Sequence, residues 1–285
     1  MDKRILAGGL VLLGLLGAGG GWWAWRARHA APPPVAEAEP AAEPAKAPPP
    51  PAGASAPAVR YPVATLPTLP DPAAPADAGA AAPTEDFGAR LRELLGARAA
   101  NALLLGDGLV GRLVVTIDNL GREHATPRLW PFAPTGGRFS TERAGEGERI
   151  AASNAARYQP FVRLAEAVDT PAAVALYVRF YPQFQQAYAA LGYPRVYFND
   201  RLIDVIDQLL ATPVPDGAPA VRLPEARGAA ASTPPWTRWE FVDPAYEALP
   251  AGQKILLRMG SDNTLRLKAK LAEFRRALAA PGAAR

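Results

Sequence analysis

Three carboxylates, Asp200, Asp204 and Asp207, stand at steps of four and three residues, the spacing that lines side chains along one side of a helix. With Glu240 and Asp243 further on, they are the only grouping that offers reaction chemistry. A carboxyl with a raised pKa facing a second carboxylate would make a glycosidase-like acid/base pair, and Asp204 with Glu240 is that candidate. The same residues also read as ordinary surface charge. Asp200 falls in a first helical turn, where it complements the helix dipole, and Asp204 and Asp207 can pair with Arg201 or stay in water. The rest of the catalytic inventory is short. Cysteine is absent and the two histidines, His29 and His124, are far apart, so thiolate catalysis, a His-based triad and a multi-histidine metal site are excluded. No GxSxG, phosphate-binding loop or dinucleotide glycine motif occurs. No catalytic residue, metal ligand or cofactor is assigned, and the inventory weighs against an enzyme.

A second grouping offers binding. Tyr188, Tyr193, Arg195, Tyr197, Asn199 and Arg201 bring aromatic rings and hydrogen-bonding groups together in 14 residues, the mixture that lines grooves for sugar or peptide. Tyrosines at helical spacing also form cores, with the hydroxyl at the rim. Both readings stay open.

The elements that must position these groups are mostly helical. From Ala172 to Pro213 the residues Val174, Tyr177, Tyr181, Phe184, Tyr188 and Leu191 recur at three and four, predicting a helix with an aromatic face. Leu202, Val205, Ile206, Leu209 and Leu210 mark a second helix, and Gly192 to Pro194 breaks the chain between them. Thr170 before Pro171 reads as the N-cap of the first, and Asn199 or Asp200 as that of the second. Asp86 caps an earlier helix. The run LVVTI at 113–117 favours a helix over a strand only weakly, and Trp130 and Phe132 read as plugs for the core or as a binding ledge. A short strand is expected near Arg138 to Ser140, and Thr237 to Val242 alternates as a strand that could pair with Val221 to Leu223. Leu267, Leu271, Phe274 and Leu278, spaced four, three and four, define the last helix. The fold class is mainly α: an N-terminal transmembrane helix, a disordered Pro/Ala linker, and a compact multi-helix domain with one or two short β-hairpins.

Residues 1–29 read as the anchor. Ile5 to Trp25 is a 21-residue run without a charge; at about 1.5 Å per residue it matches a hydrocarbon core of about 30 Å. Trp22, Trp23 and Trp25 crowd its end, where indoles prefer the membrane interface. Trp, Arg and His occupy the place where a cleavage site would need small residues, so the anchor is expected to be retained. Residues 30–85 hold 16 of the 32 prolines and read as a disordered tether. Residues 86–280 read as the globular domain. A short N-terminal tail and a long tether predict a single-pass inner-membrane protein with a periplasmic domain. The expected partners are the membrane, through residues 5–25, and an envelope protein or peptidoglycan. From Lys254 onward eight Lys and Arg face only Asp262 and Glu273, as a solvated face or a contact with an anionic surface. Without interleaved aromatics they do not point to nucleic acid, and the oligomeric state is open.

Three phrases add a resemblance. FYPQFQQAYAALGYPRVYFNDRLIDVIDQLLATP, VVTIDNL at 114–120 and LPAGQKILLRMGSDNTLRLKAKLAEFR at 249–275 resemble, in this order, the bacterial family catalogued as domain of unknown function 3014. The resemblance covers essentially Asp86 to Ala280. It implies an anchor, a variable Pro/Ala linker and then this domain, and it implies no activity, ligand or catalytic residue. The sequence thus supports a tethered interaction module, with a carboxylate enzyme acting on wall glycan or peptide as the alternative.

Overall fold

The structure, a computed structural model, describes residues 58–66, 86–125, 127–225 and 237–279. The expected anchor at 1–29 and most of the tether lie outside these. Among the described residues no helix is long and apolar enough to cross a membrane.

The domain is mainly helical. Helix α1 (Phe87–Leu95) begins where the Asp86 carboxylate accepts from the backbone N–H groups of Gly88 and Ala89, both at 3.1 Å. Helices α2 (Ala97–Leu103) and α3 (Leu109–Leu120) follow, so LVVTI is helical. The segment after α3 folds back: Leu105 N–H donates to the Pro131 carbonyl and Ala133 N–H to that of Leu103, both at 2.7 Å. This pairing drives Trp130 and Phe132 into the interior, as their apolar rings demand.

Helices α4 (Ser153–Ala167), α5 (Thr170–Ala190) and α6 (Phe198–Leu210) come next. Helix α5 runs unbroken through Pro182. Its cap differs from the sequence expectation. Asp169, not Thr170, accepts from the Ala172 N–H at 2.8 Å. Thr170 is already helical, and its hydroxyl donates to Glu273 at 3.0 Å. Helices α7 (Pro244–Glu247), α8 (Ala251–Met259) and α9 (Ser261–Ala279) are the last among the described residues. Gly260, at φ +87°, supplies the left-handed turn that separates α8 from α9.

Helix α5 packs among α1, α3, α6 and α9. Its face is the expected aromatic one, except that Leu191 lies past the helix end and is exposed. Phe184 is the hub. Phe87 and Tyr177 meet it edge-on, with centroids 5.2 and 5.3 Å away, and Phe198 stacks on it at 6.0 Å. Pairs of this kind add roughly 0.5–1.5 kcal/mol each beyond the area they bury.

One or two separate short hairpins were expected; among the described residues the strands make a single sheet instead. Strands β1 (Thr141–Ala144), β2 (Gly147–Ile150), β3 (Ala220–Arg222) and β4 (Glu240–Phe241) form one antiparallel sheet in that order, and the first strand starts just after the span predicted for it. Ile150, Val221 and Phe241 cover Leu257 of α8.

Residues 58–66, assigned to the disordered tether by sequence, lie against the helices. This strap is extended through Pro62 (φ −69°, ψ 124°) and closes in a 3-10 turn at Val63–Thr65. Val63 and Leu66, three apart and therefore on one side of that turn, are buried in the main core.

Candidate functional site

Helix α6 begins at Phe198, ahead of both expected caps, so Asn199 and Asp200 stand inside its first turn instead of capping it. Gln185 of α5 fixes that start. Its amide nitrogen donates to the Val196 carbonyl, and its oxygen accepts from the Phe198 N–H and the Tyr181 hydroxyl, each at 2.9 Å. Freed from capping, the Asn199 and Asp200 side chains turn to the strap.

Asp200 receives two consecutive backbone donors. Its Oδ2 accepts from Arg60 N–H at 3.0 Å and its Oδ1 from Tyr61 N–H at 2.9 Å. Asn199 Nδ2 donates to the Tyr61 carbonyl at 2.9 Å, and the Tyr197 hydroxyl accepts from Val63 N–H at 2.9 Å. Asn199, fully buried, is held by the Tyr177 hydroxyl, which donates to its Oδ1 at 3.1 Å. Arg60 reaches Asp204 at 2.7 Å, and its guanidinium lies 5.7 Å from the Tyr61 ring centre. The Asp204 carboxylate raises the Arg60 pKa further above its ordinary value. Asp207 pairs with Arg275 of α9 at 2.6 Å, not with Arg201.

The six residues singled out by sequence therefore divide. Tyr197 and Asn199 grip the strap. Arg201 donates to the Asp118 carboxylate at 2.9 Å and to its carbonyl at 2.8 Å. Arg122 takes the other Asp118 oxygen at 2.6 Å and donates to the Tyr193 hydroxyl. Tyr193 in turn stacks on Tyr188 at 4.8 Å. Tyr188, Tyr193 and Arg201 thus fasten α6 and the turn before it to α3, while Arg195 is exposed on that turn. Burial, aided by the Asp118 charge, pushes the Tyr188 hydroxyl up to about 12; burial also raises Tyr177 and Tyr181.

The strap is what sequence reasoning missed, and a signal was present. Tyr61 is the only aromatic and Arg60 the only arginine in residues 30–85, and they are adjacent. Asp204 and Glu240, the enzyme candidates, sit in separate ion pairs on separate elements, Asp204 with Arg60 and Glu240 with Arg222 at 3.5 Å. His124 is exposed beside Glu123. Among the described residues no group of three His, Asp or Glu could hold a metal ion. A separate cavity of about 190 Å³ lies between Ile150, Pro219, Leu257 and Ser261. Its one cation, Arg258, donates to the Trp239 carbonyl at 3.1 Å and covers the Phe241 ring at 4.7 Å. The C-terminal basic excess is engaged internally as well. Lys254 bonds Glu247, Arg266 bonds Glu166, Lys268 the Thr212 carbonyl and Lys270 Glu273.

A family model described as "Protein of unknown function (DUF3014)" matches residues 109–275, from α3 into α9. No curated protein and no solved structure matches the chain. The matched span contains Tyr197, Asn199, Asp200 and Asp204, and the strap precedes it. With more than half of its length matched, the chain belongs to the DUF3014 family of proteins of unknown function.

Proposed function

We propose that the chain is a membrane-tethered periplasmic interaction module that binds an extended segment of an envelope protein on the face built by the first turn of α6. One observation carries this reading: Asp200 accepts two successive backbone N–H groups while Asn199 donates to the carbonyl that follows them. Such contacts read main chain, and main-chain bonds give affinity in recognition of extended peptides, with side-chain pockets supplying selectivity. The uncharged run Ile5–Trp25 and the Pro/Ala stretch after it support the anchor and the tether.

Two experiments test the parts. Alkaline phosphatase fused after Arg285 should be active and green fluorescent protein at the same position dark; the reverse result sinks the periplasmic placement. Full chain immobilised in detergent should retain an envelope protein from extract, and Asp200→Asn should lose it. Retention of purified peptidoglycan alone, or equal retention by the variant, removes this face as the protein-binding surface.

A further inference from the structure

We infer that the strap is an intramolecular stand-in for the partner's peptide, so that the groove selects an extended segment patterned basic, aromatic, proline, aliphatic, and a partner binds by displacing residues 60–66. This rests on the reading above and names its ligand class.

Each position of the strap states a requirement. At the first, the guanidinium of Arg60 lies 2.7 Å from Asp204 and 3.9 Å from Asp200. Two carboxylates meet it there, so a basic residue is favoured. At the second, Tyr61 is half-buried against the core and its hydroxyl interacts with Arg275, a place for a ring with a polar tip. The backbone N–H groups of the first, second and fourth positions are all received by Asp200 and Tyr197. Proline at the third brings no N–H to place, and its fixed φ holds the extended path. The fourth and seventh positions, Val63 and Leu66, are side chains the core encloses.

The seating is also of the displaceable kind. The strap adds only two enclosed side chains and a few hydrogen bonds, and ordering seven residues opposes them. Its advantage over a free peptide is covalent linkage through residues 67–85, equivalent to an effective concentration of order mM for a short linker. A partner peptide with a better first or second side chain, or one presented at high local density, takes the groove.

The probe is a fluorescein-labelled peptide of residues 58–66, titrated by anisotropy into full chain in detergent. The Val63→Asp chain, whose strap cannot seat a carboxylate in the core, should bind the peptide at least ~10-fold more tightly than the unaltered chain. Adding Asp200→Asn to it should lose at least ~10-fold of that gain. Circular dichroism verifies folding of both variants, and Arg60→Ala, a surface change, should give a smaller gain in the same direction. In the unaltered chain, saturating unlabelled peptide should speed hydrogen exchange at the Tyr61 and Val63 amides. Equal peptide affinity in all four chains, or amides that keep their protection, overturns the inference. Peptide competition without any captured envelope protein would remove the partner reading and leave the displaceable strap standing.

Discussion

The Asn199 side chain is the point where core and groove share atoms. Its Oδ1 satisfies the buried Tyr177 hydroxyl and its Nδ2 the Tyr61 carbonyl. Asn199→Ala leaves that hydroxyl without its acceptor, which costs about 1–3 kcal/mol, read as a lower urea midpoint, and the Tyr61 amide should lose protection with it. Ionisation offers a second measurement. Tyr188 titrates at about 12 in the fold, against about 10 in the unfolded chain. Its neutral form therefore stabilises the fold fully below pH 10, and that contribution is lost as pH rises through 12. Tyr177 and Tyr181 act in the same direction. Chemical denaturation at pH 9 and 11.5 should show the loss, and Tyr188→Phe should reduce it. At the acid end the Arg266 guanidinium holds Glu166 below its usual 4.5, and Lys270 does so for Glu273. Their contribution is present above about pH 4.5 and disappears as pH falls through the lowered values. Glu166→Gln should flatten the fall in melting temperature between pH 6 and pH 3.

At Gly252 of α8 a Cβ would lie 2.6 Å from Leu209 Cδ2 and 3.0 Å from the Leu120 carbonyl oxygen. That glycine lets α8 approach α3 and α6 together. Gly252→Ala should cost about 1–3 kcal/mol by overpacking, measured by thermal denaturation. The helices themselves were legible because their signals are local. The four-three-four spacing of Leu267, Leu271, Phe274 and Leu278 survived as four buried side chains. The pairing of β3 with β4 was legible from alternation, whereas of β1 and β2 only a short strand just before β1 was expected. The joining of β2 to β3 was not legible: they meet through only Glu148–Val221 and Arg149–Ala220, a pairing over some 70 residues with no sequence mark of its own. The cap assignments failed where a side chain found a distant partner. Asn199 and Asp200 have the residue types of caps, and the strap's N–H and C=O groups claimed them.

For the molecule as a whole, the strap adds a segment packed on the helices by backbone hydrogen bonds and two enclosed side chains. Burying Val63 and Leu66 gains roughly 3–6 kcal/mol and the hydrogen bonds about 1 kcal/mol each, while ordering seven residues costs about 7–14 kcal/mol. The terms cancel to within a few kcal/mol. Deleting residues 58–66 should accordingly leave a folded domain with a melting temperature lowered by only a few degrees, checked by calorimetry on the remaining full chain. The candidate site was half legible: Tyr197 and Asn199 stood out by type, whereas the occupant lay some 135–140 residues away, recognised mainly through backbone atoms that every sequence carries. Seating position 60 on α6 fixes the chain to the domain at that point. Release returns about 25 residues of contour, up to about 90 Å. Under the proposed displacement the strap would also be a length setting: one groove, occupied or empty, would give the chain two contour lengths between its N-terminus and its domain.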